Sequence, residues 1–255
     1  MLNVQTTPTS PVSARWQPHP GHHPLRLESD ERWSTLAELR NLLQYDAHLL
    51  RCDDEALFQR RQLKVGQTAL MTGQPFDGLY VVRLGTLKAM ITHADGGVHV
   101  LAFPMKGTLL GFDGFYQNTY MSDVVALTDC DLVRIPASSL FSPGRGNNHL
   151  EHMAYWASSR EIIQEQEAYS LTRSVKSESR VARFLHIMSG RFEALGFSPN
   201  RFILPMSRRD IGHHLSVTVE TVSRAFSALV QLGIITVDFR EIKILSRDAL
   251  CNFER

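Results

Sequence analysis

The chain has 255 residues, 43% of them hydrophobic, with 27 Lys and Arg against 26 Asp and Glu, which suits one or two ordinary globular domains. No apolar segment is long enough to span a bilayer and the start lacks the regions of a secretory signal, so we expect a cytoplasmic protein with no membrane partner. The near-neutral total conceals an asymmetry: from residue 173 onward 13 basic against 8 acidic residues give +5, and the preceding part, with 14 against 18, gives −4. A polyanionic partner would therefore meet the C-terminal part.

The first 30 residues are rich in Pro, Thr, Ser and His and offer little that could form a core, so residues 1–30 are predicted to be a flexible tail. After them, Asp30 is a plausible cap for a short helix. Its helical spacing is carried by Trp33, Leu36, Leu39, Leu42 and Leu43.

Between residues 56 and 136 the chain changes to short apolar runs broken by glycine. The runs YVVRLG, TLKAMIT, VHVLAF and VVALTDCDLVRIP are typical of strands, and ADGG is typical of a hairpin turn. Many short strands at this spacing predict an antiparallel β-barrel or jelly roll. We assign residues 31–145 to this domain.

Residues 146–174 contain a long stretch without Pro or Gly that predicts one long helix. Its apolar side is expected to face a second copy of the chain and to form a homodimer. The proposed seam consists of Met153, Trp156, Ile163 and Leu171. Since Arg160 and Glu167 interrupt it, packing of the helix on its own barrel remains the alternative.

The third part, residues 175–255, opens with a helix that is closed by Gly196 and has Val181, Phe184, Leu185 and Met188 on its core side. Residues 207–228 follow as two short helices joined by a tight turn. The apolar residues that pack one helix across the other are Ile211, Leu215, Val217, Val222 and Ala225, and the residues left pointing outward are Thr218, Glu220, Thr221, Ser223 and Arg224. The alternative is an ordinary helical hairpin with a solvated polar face.

The outward residues have the chemistry that contacts DNA base edges. Arg224 can donate two parallel hydrogen bonds to guanine, Glu220 can accept one from the amino group of cytosine, and Ser223 can do either. We expect the remaining polar residues to contact the DNA backbone: Ser207, Arg208, Arg209, Thr218 and Thr221. His213 and His214 are expected to contact phosphate or to pack, and a pH switch there is a weaker hypothesis.

After Gly233, residues 234–237 and 241–245 alternate as two short strands, which completes a winged helix-turn-helix. Arg240 and Lys243 on this wing are candidates for phosphate contacts, although plain surface charge explains them equally well.

The order of an antiparallel barrel, a long helix and a winged helix-turn-helix resembles the CRP/FNR family of bacterial transcription regulators over about residues 45–250. The FNR branch is the most similar, in the runs GFSPNRFILPMSRRDIGHHLSVTVETVSR and LLGFDGF. The resemblance implies an α+β fold, a homodimer on a two-fold symmetric operator with half-sites like TTGAT, and contact with RNA polymerase. In that branch a Glu-x-x-Ser-Arg face contacts the bases, and Glu220, Ser223 and Arg224 match it. Ser216 departs from the pattern, because this turn usually has Gly.

The effector and any cofactor stay unknown at this level. Cys52, Cys130 and Cys251 are scattered, so one protomer cannot supply four thiolates to an iron-sulfur cluster. We expect these thiols to be reduced and structural, with a redox-reactive Cys52 beside Arg51 as a minor alternative.

Cyclic AMP is disfavoured as well. Thr108 stands where the family has Glu, no Arg lies between residues 107 and 125, and Asp113 and Asp123 would repel a phosphate.

Haem would need an axial His, for which His93, His99, His149, His152, His19, His22 and His23 are candidates without a supporting pattern. We expect no metal site, although His149 and His152 are close enough on a helix to share an ion.

Two other function classes compete with the regulator. A cupin-type metal enzyme would need a His-x-His pair, and the sequence has neither that pair nor a nucleophile set, so we expect no enzyme. A ligand-sensing adaptor that acts without DNA differs in one respect: it would tolerate loss of Arg224.

Overall fold

The computed structural model describes residues 32–45, 56–140, 149–173 and 176–253. The predicted tail, Asp30 and Cys52 lie outside these residues. No described helix is long and apolar enough to cross a membrane.

The N-terminal half is a jelly roll of two antiparallel sheets, as predicted, and the sheets do not close into a barrel. The first sheet has the strand order β1-β2-β9-β4-β7 and the second has the order β3-β8-β5-β6. The bounds are β1 Trp33–Thr35, β2 Leu57–Leu63, β3 Thr68–Leu70, β4 Gly78–Leu84, β5 Leu87–Thr92, β6 Val98–Ala102, β7 Leu109–Leu110, β8 Asp123–Ala126 and β9 Cys130–Pro136. A single 3₁₀ turn, Phe112–Gly114, follows β7.

The sequence of strand β4 is a continuous apolar run and does not alternate between apolar and polar residues, because both faces of the strand are buried. Leu79 and Val81 on one face join a core with the helices, whereas Tyr80 and Val82 on the other join a core with the second sheet. Since successive side chains of a strand point to opposite faces, a sheet covered on both sides needs an unbroken apolar run.

The first helix is shorter than expected. Trp33 belongs to β1, and α1 spans Leu36–Leu42 with Thr35 as its cap, whose hydroxyl accepts from the backbone N–H of Glu38 at 3.2 Å. Leu36, Leu39 and Leu42 face the core as predicted. Helical spacing alone could not show that Trp33–Thr35 pair with β2 as a strand and are therefore not part of the helix.

A short helix, α2 (Ala137–Leu140), leads to the long helix α3 (His149–Arg173). Met153 was assigned to the dimer seam, and this is wrong: it is buried with Ala154 and Ala157 against the jelly roll of its own chain. The seam residues Trp156 and Ile163 are exposed, and the side chains of Leu171 and Glu167 lie outside the described part.

The C-terminal half consists of α4 (Ser177–Ala194), α5 (Arg208–Leu215), α6 (Val219–Gln231) and α7 (Arg247–Cys251) packed on a three-stranded sheet. The sheet order is β10-β12-β11, with β10 Arg201–Ile203, β11 Ile235–Asp238 and β12 Glu241–Ile244. The predicted core side of α4 is buried, and Gly196 closes that helix at a φ of 82°. Val100, Phe103 and Met105 of the jelly roll belong to the same core, so the two halves pack together.

Candidate nucleic-acid interface

Helices α5 and α6 form the predicted helix-turn-helix. Ile211, Leu215, Val222 and Ala225 are buried between them, and Val217 packs against the same core while half-buried. This confirms the packing face that the apolar spacing indicated. The polar face of α6 is therefore left for solvent or for a partner.

Side chains fix where both helices begin. Ser207 caps α5 by accepting from the N–H of Asp210 at 3.1 Å, and the Asp210 carboxylate accepts from the N–H of Ser207 at 3.0 Å. Thr218 caps α6 by accepting from the N–H of Thr221 at 3.2 Å. Such caps contribute about 1 kcal/mol each and orient the first turn of a helix.

The turn between the helices is tight for two reasons. Ser216 adopts a left-handed conformation, with φ 53° and ψ 47°, as its place in the turn predicted. A Cβ on Gly212 would lie 2.8 Å from the carbonyl oxygen of Val217, so the returning chain passes directly over α5 at a residue without a side chain. Close approach of this kind sets the crossing of the two helices.

The three predicted base-contacting residues share the exposed face of α6. Glu220, Ser223 and Arg224 are all exposed. The Ser223 hydroxyl donates to the carbonyl of Val219 at 2.9 Å, which leaves its lone pairs free to accept. Hydrogen bonds from its own backbone N–H and from Thr218 hold the pKa of Glu220 below its usual value, so its carboxylate is an acceptor at neutral pH.

Arg224 is exposed to solvent, but its guanidinium contacts two residues of its own domain. Its side chain is 69% exposed, its guanidinium donates to the hydroxyl of Thr221 at 3.1 Å, and its Nε lies 3.8 Å from a carboxylate oxygen of Glu178. Exposed ion pairs of this length are weak, so the guanidinium can leave Glu178 for a stronger acceptor.

Thr221 does not point outward as expected. Only 8% of it is exposed, and its hydroxyl lies 3.2 Å from that of Thr218 while accepting from Arg224. Thr221 therefore orients other residues and is not itself placed to contact phosphate. The spacing of apolar residues could not predict this, because it depends on the contacts of the Thr221 hydroxyl with the cap residue Thr218 and with Arg224.

Arg208 lies beside the same face in an unusual environment. Its guanidinium carbon is 3.1 Å from the centre of the Phe226 ring, and burial lowers its pKa to about 10. The guanidinium is still charged at neutral pH, and its Nη1 makes no hydrogen bond within the described part of the chain. Arg208 and Ser223 both line a cleft of about 420 Å³ between α5, α6 and β11. A positively charged residue thus lines the cleft.

The wing is the hairpin of β11 and β12. Its strands pair from Ile235 with Ile244 to Asp238 with Glu241, one residue away from the predicted bounds in each strand. Lys243 is exposed, as a phosphate contact requires. Arg240 instead donates to the carbonyl of Pro205 at 3.0 Å and so anchors the turn. Arg209, on α5, is exposed.

Helix α5 also contacts the jelly roll. The ammonium group of Lys88 on β5 lies 2.6 Å from the carboxylate of Asp210, and the two side chains are only 18% and 13% exposed. Nδ1 of His214 lies 3.0 Å from the carbonyl of Val100 on β6, and the His214 ring packs on Phe103. Asp210 therefore joins the jelly roll to the cap of α5.

His214 is held in its neutral form by this packing. Burial lowers its pKa more than the hydrogen bond to the Val100 carbonyl raises it, and the nearby charge of Arg191 on α4 acts in the same direction as burial. Of the two roles expected for His213 and His214, packing is the one that His214 has.

Comparison with known proteins identifies both halves. Residues 179–253 match the Crp-like helix-turn-helix domain, and residues 60–142 match the cyclic nucleotide-binding domain. The transcriptional regulatory protein Btr of Bordetella pertussis is 33% identical over 199 residues, which cover 77% of this chain and 81% of Btr. The chain belongs to the CRP/FNR family of transcription regulators.

Further CRP/FNR relatives agree. The transcriptional activator Anr of Pseudomonas aeruginosa is 34% identical over an alignment that covers 78% of this chain and 81% of Anr. The fumarate and nitrate reduction regulatory protein of Escherichia coli is 32% identical over an alignment that covers 77% of this chain and 79% of that protein. Among solved structures, FixK2 of Bradyrhizobium japonicum has a TM-score of 0.69 at 25% identity and covers 78% of this chain and 98% of FixK2. The protein is therefore a DNA-binding transcription regulator of this family.

The jelly roll matches the cyclic nucleotide-binding domain, but the residues present do not fit the phosphate of a cyclic nucleotide. Asp113 accepts from the N–H of Met121 and the hydroxyl of Ser122, and Asp123 accepts from the N–H of Thr72, so both carboxylates brace the loop that would have to bind an anion. The Thr108 hydroxyl accepts from the N–H of Met105 at 3.3 Å and serves a turn.

The described cysteines and histidines likewise form no ligand set. The Cys130 thiol is buried, donates to the carbonyl of Thr86 at 3.4 Å, and has a pKa raised by burial, whereas Cys251 is exposed on α7. Within the described residues no group of three or more His, Cys, Asp or Glu side chains could hold a metal ion. Cys52 and the side chain of His149 lie outside the description.

Proposed function

We propose that the protein binds DNA as a homodimer, with two copies of α6 in successive major grooves about 34 Å apart on a two-fold symmetric operator. The half-sites would resemble TTGAT, with Glu220, Ser223 and Arg224 contacting base edges. The observation that carries this proposal is the joint exposure of these three side chains on one face of a capped helix.

Backbone contacts would come from the residues around this face. A phosphate at the mouth of the cleft would be attracted by the positive charge of Arg208, which lines the cleft. Ser207, Arg209 and Thr218 lie at helix N-termini, where backbone N–H groups favour an anion, and Lys243 extends the basic surface onto the wing.

The dimer is supported by the outward face of α3. Large apolar side chains are exposed there, and several follow a spacing of seven residues: Tyr155, Trp156, Ile162, Ile163 and Tyr169. Because the opposite face already packs on the jelly roll, an exposed apolar stripe of this spacing suits a second copy of the same helix.

A signal would reach the DNA-binding face through the contacts of Lys88 and His214 with α5. An effector that favours one arrangement of the jelly roll over another would shift the position of Asp210 and with it the start of α5. RNA polymerase is the partner that family membership suggests for the regulatory output.

The test of function is a titration of the protein against a duplex with two TTGAT-type half-sites and against the same duplex with scrambled half-sites. We expect a preference of about a thousandfold or more at fixed salt. Equal affinities would favour the adaptor and contradict the proposal.

The dimer is tested separately by Ile162→Glu, measured by sedimentation. The variant should become monomeric and lose operator affinity. Val65→Glu is the matched control, because Val65 is also an exposed apolar residue, at 63%, but lies on the jelly roll. A dimeric Ile162→Glu variant would refute a dimer formed through this exposed face of α3.

A further inference from the structure

The tip of the wing carries an aromatic residue that nothing in the fold explains. Phe239 is 99% exposed, the most exposed of the large hydrophobic residues described. Because Asp238 pairs with Glu241, Phe239 and Arg240 form a two-residue turn. The ring makes almost no contact with the protein.

The backbone at this position is unfavourable for Phe. Its φ is 51°, in the left-handed region that two-residue turns normally fill with Gly, Asn or Asp. A bulky residue held at positive φ is strained, and strain of this kind clusters at binding sites. Neither packing nor turn geometry therefore accounts for Phe239, which leaves contact with a partner.

The turn is rigid and lies beside the DNA-binding face. Arg240 donates to Pro205, and its own carbonyl accepts from the N–H of Leu204 at 2.9 Å, so both ends of the residue are fixed to the segment that precedes α5. Val237, two residues before Phe239, lines the cleft together with Ser223. The strand that leads to the tip therefore lines one side of the cleft, and α6 lines another.

The charges around the tip do not favour phosphate as its contact. Asp238 is acidic and offsets the charge of Arg240, and Glu241 is paired with Arg201, from whose guanidinium it accepts at 2.9 Å. An apolar ring among balanced charges is suited to sugar edges and base steps, the surfaces that apolar wedges contact in the minor groove.

We propose that Phe239 inserts into the minor groove beside the half-site that α6 occupies, and so makes affinity depend on flanking sequence that no side chain reads by hydrogen bonds. This inference rests on the proposed function. The affinity for DNA would then depend on the width of the flanking minor groove and on how easily its base-pair steps unstack, because both decide how well the ring fits.

The experiment compares Phe239→Gly, Phe239→Asn and Phe239→Trp with the parent on the same operator duplex, by fluorescence anisotropy over a range of salt concentrations. Gly and Asn suit the turn, and the ring touches almost nothing, so both variants should fold and melt no lower than the parent. We expect them to lose about tenfold or more in affinity, and Trp to retain it.

Salt dependence separates this contact from a charged one. Loss of the ring releases no phosphate contact, so the slope of log affinity against log salt should stay unchanged in Phe239→Gly. Lys243→Gln is the comparison, since loss of a phosphate contact should reduce that slope by about one. Hydroxyl-radical protection of the flanking minor groove should disappear only in the Gly and Asn variants.

Equal affinity and an equal footprint for parent and Phe239→Gly would overturn the inference. Unchanged DNA binding with lost transcriptional output would also overturn it, because the ring would then contact a protein. Failure of the parent itself to prefer the operator over scrambled DNA would defeat the proposed function, a different result from equal binding by parent and variant.

Discussion

Replacement of Ser216 by Gly should stabilise the protein. Ser216 has φ 53° and ψ 47°, a conformation that costs an L-residue about 1–2 kcal/mol and costs Gly almost nothing. Its exposed side chain makes no hydrogen bond in the described structure that the substitution would remove. The greater freedom of Gly in the unfolded chain offsets about 0.5–1 kcal/mol, and the midpoints of the two ranges leave a gain of about 0.7 kcal/mol in the free energy of unfolding.

The assay is urea and thermal unfolding of the full-length chain, where a gain of this size raises the midpoint by about 1–3 °C. Ser227→Gly is the matched control, because Ser227 is exposed within the regular part of α6 and the same substitution there should destabilise by about 0.5 kcal/mol. A Ser216→Gly variant no more stable than the parent would refute the argument from strain.

Three other predictions concern the helix-turn-helix and its contact with the jelly roll. Gly212→Ala should destabilise by about 1–3 kcal/mol in urea unfolding, because its Cβ would lie 2.8 Å from a backbone oxygen; unchanged stability would show that the turn can move. Lys88→Gln should destabilise by about 1–2 kcal/mol, since it leaves the carboxylate of Asp210 without its ion-pair partner in a largely buried position. Lys64→Gln is the control and should leave stability almost unchanged, because its ion pair with Asp129 is exposed to solvent. His214 has a folded pKa below its unfolded value, so the unfolded state takes up the proton first and stability should fall as pH drops below about 6.5. Chemical unfolding of the parent and of His214→Gln between pH 5.5 and 7.5 should show a shallower fall in the variant, and parallel curves would contradict the assignment.

The helix-turn-helix was predictable because its information is local. The spacing of Ile211, Leu215, Val222 and Ala225 defines one packing face, and the opposite face of α6 is exposed at Ser223 and Arg224, although the same spacing wrongly placed Thr221 outward. The exposure of Glu220 follows from the same periodicity.

Other features depend on contacts that sequence spacing does not contain. Met153 is apolar at a position that suits either a dimer seam or the jelly roll, and only the packing of α3 on its own chain decides between them. Strand β10 has three residues, too few for alternation to show, and its pairing with β12 defines it. The stacking of Arg208 on Phe226 joins two helices, so it is visible only after they pack.

The turn of the wing was located within about one residue, yet its conformation was not foreseen. The sequence Asp-Phe-Arg-Glu at residues 238–241 lacks the Gly or Asn that normally marks a two-residue turn. The strand register of the structure places Phe239 in the turn, and the backbone there has a positive φ. Local rules fail here at the residue for which we infer a contact with DNA.

Arg224→Ala tests the central claim most directly, by anisotropy with a TTGAT-type duplex and with duplexes in which the guanine of each half-site is replaced. We predict a loss of about 1–3 kcal/mol on the parent duplex and loss of discrimination at that guanine, with Arg209→Ala weakening all duplexes alike as the control. If Arg224→Ala keeps the affinity and the base preference of the parent, then α6 does not contact the bases and the account is wrong.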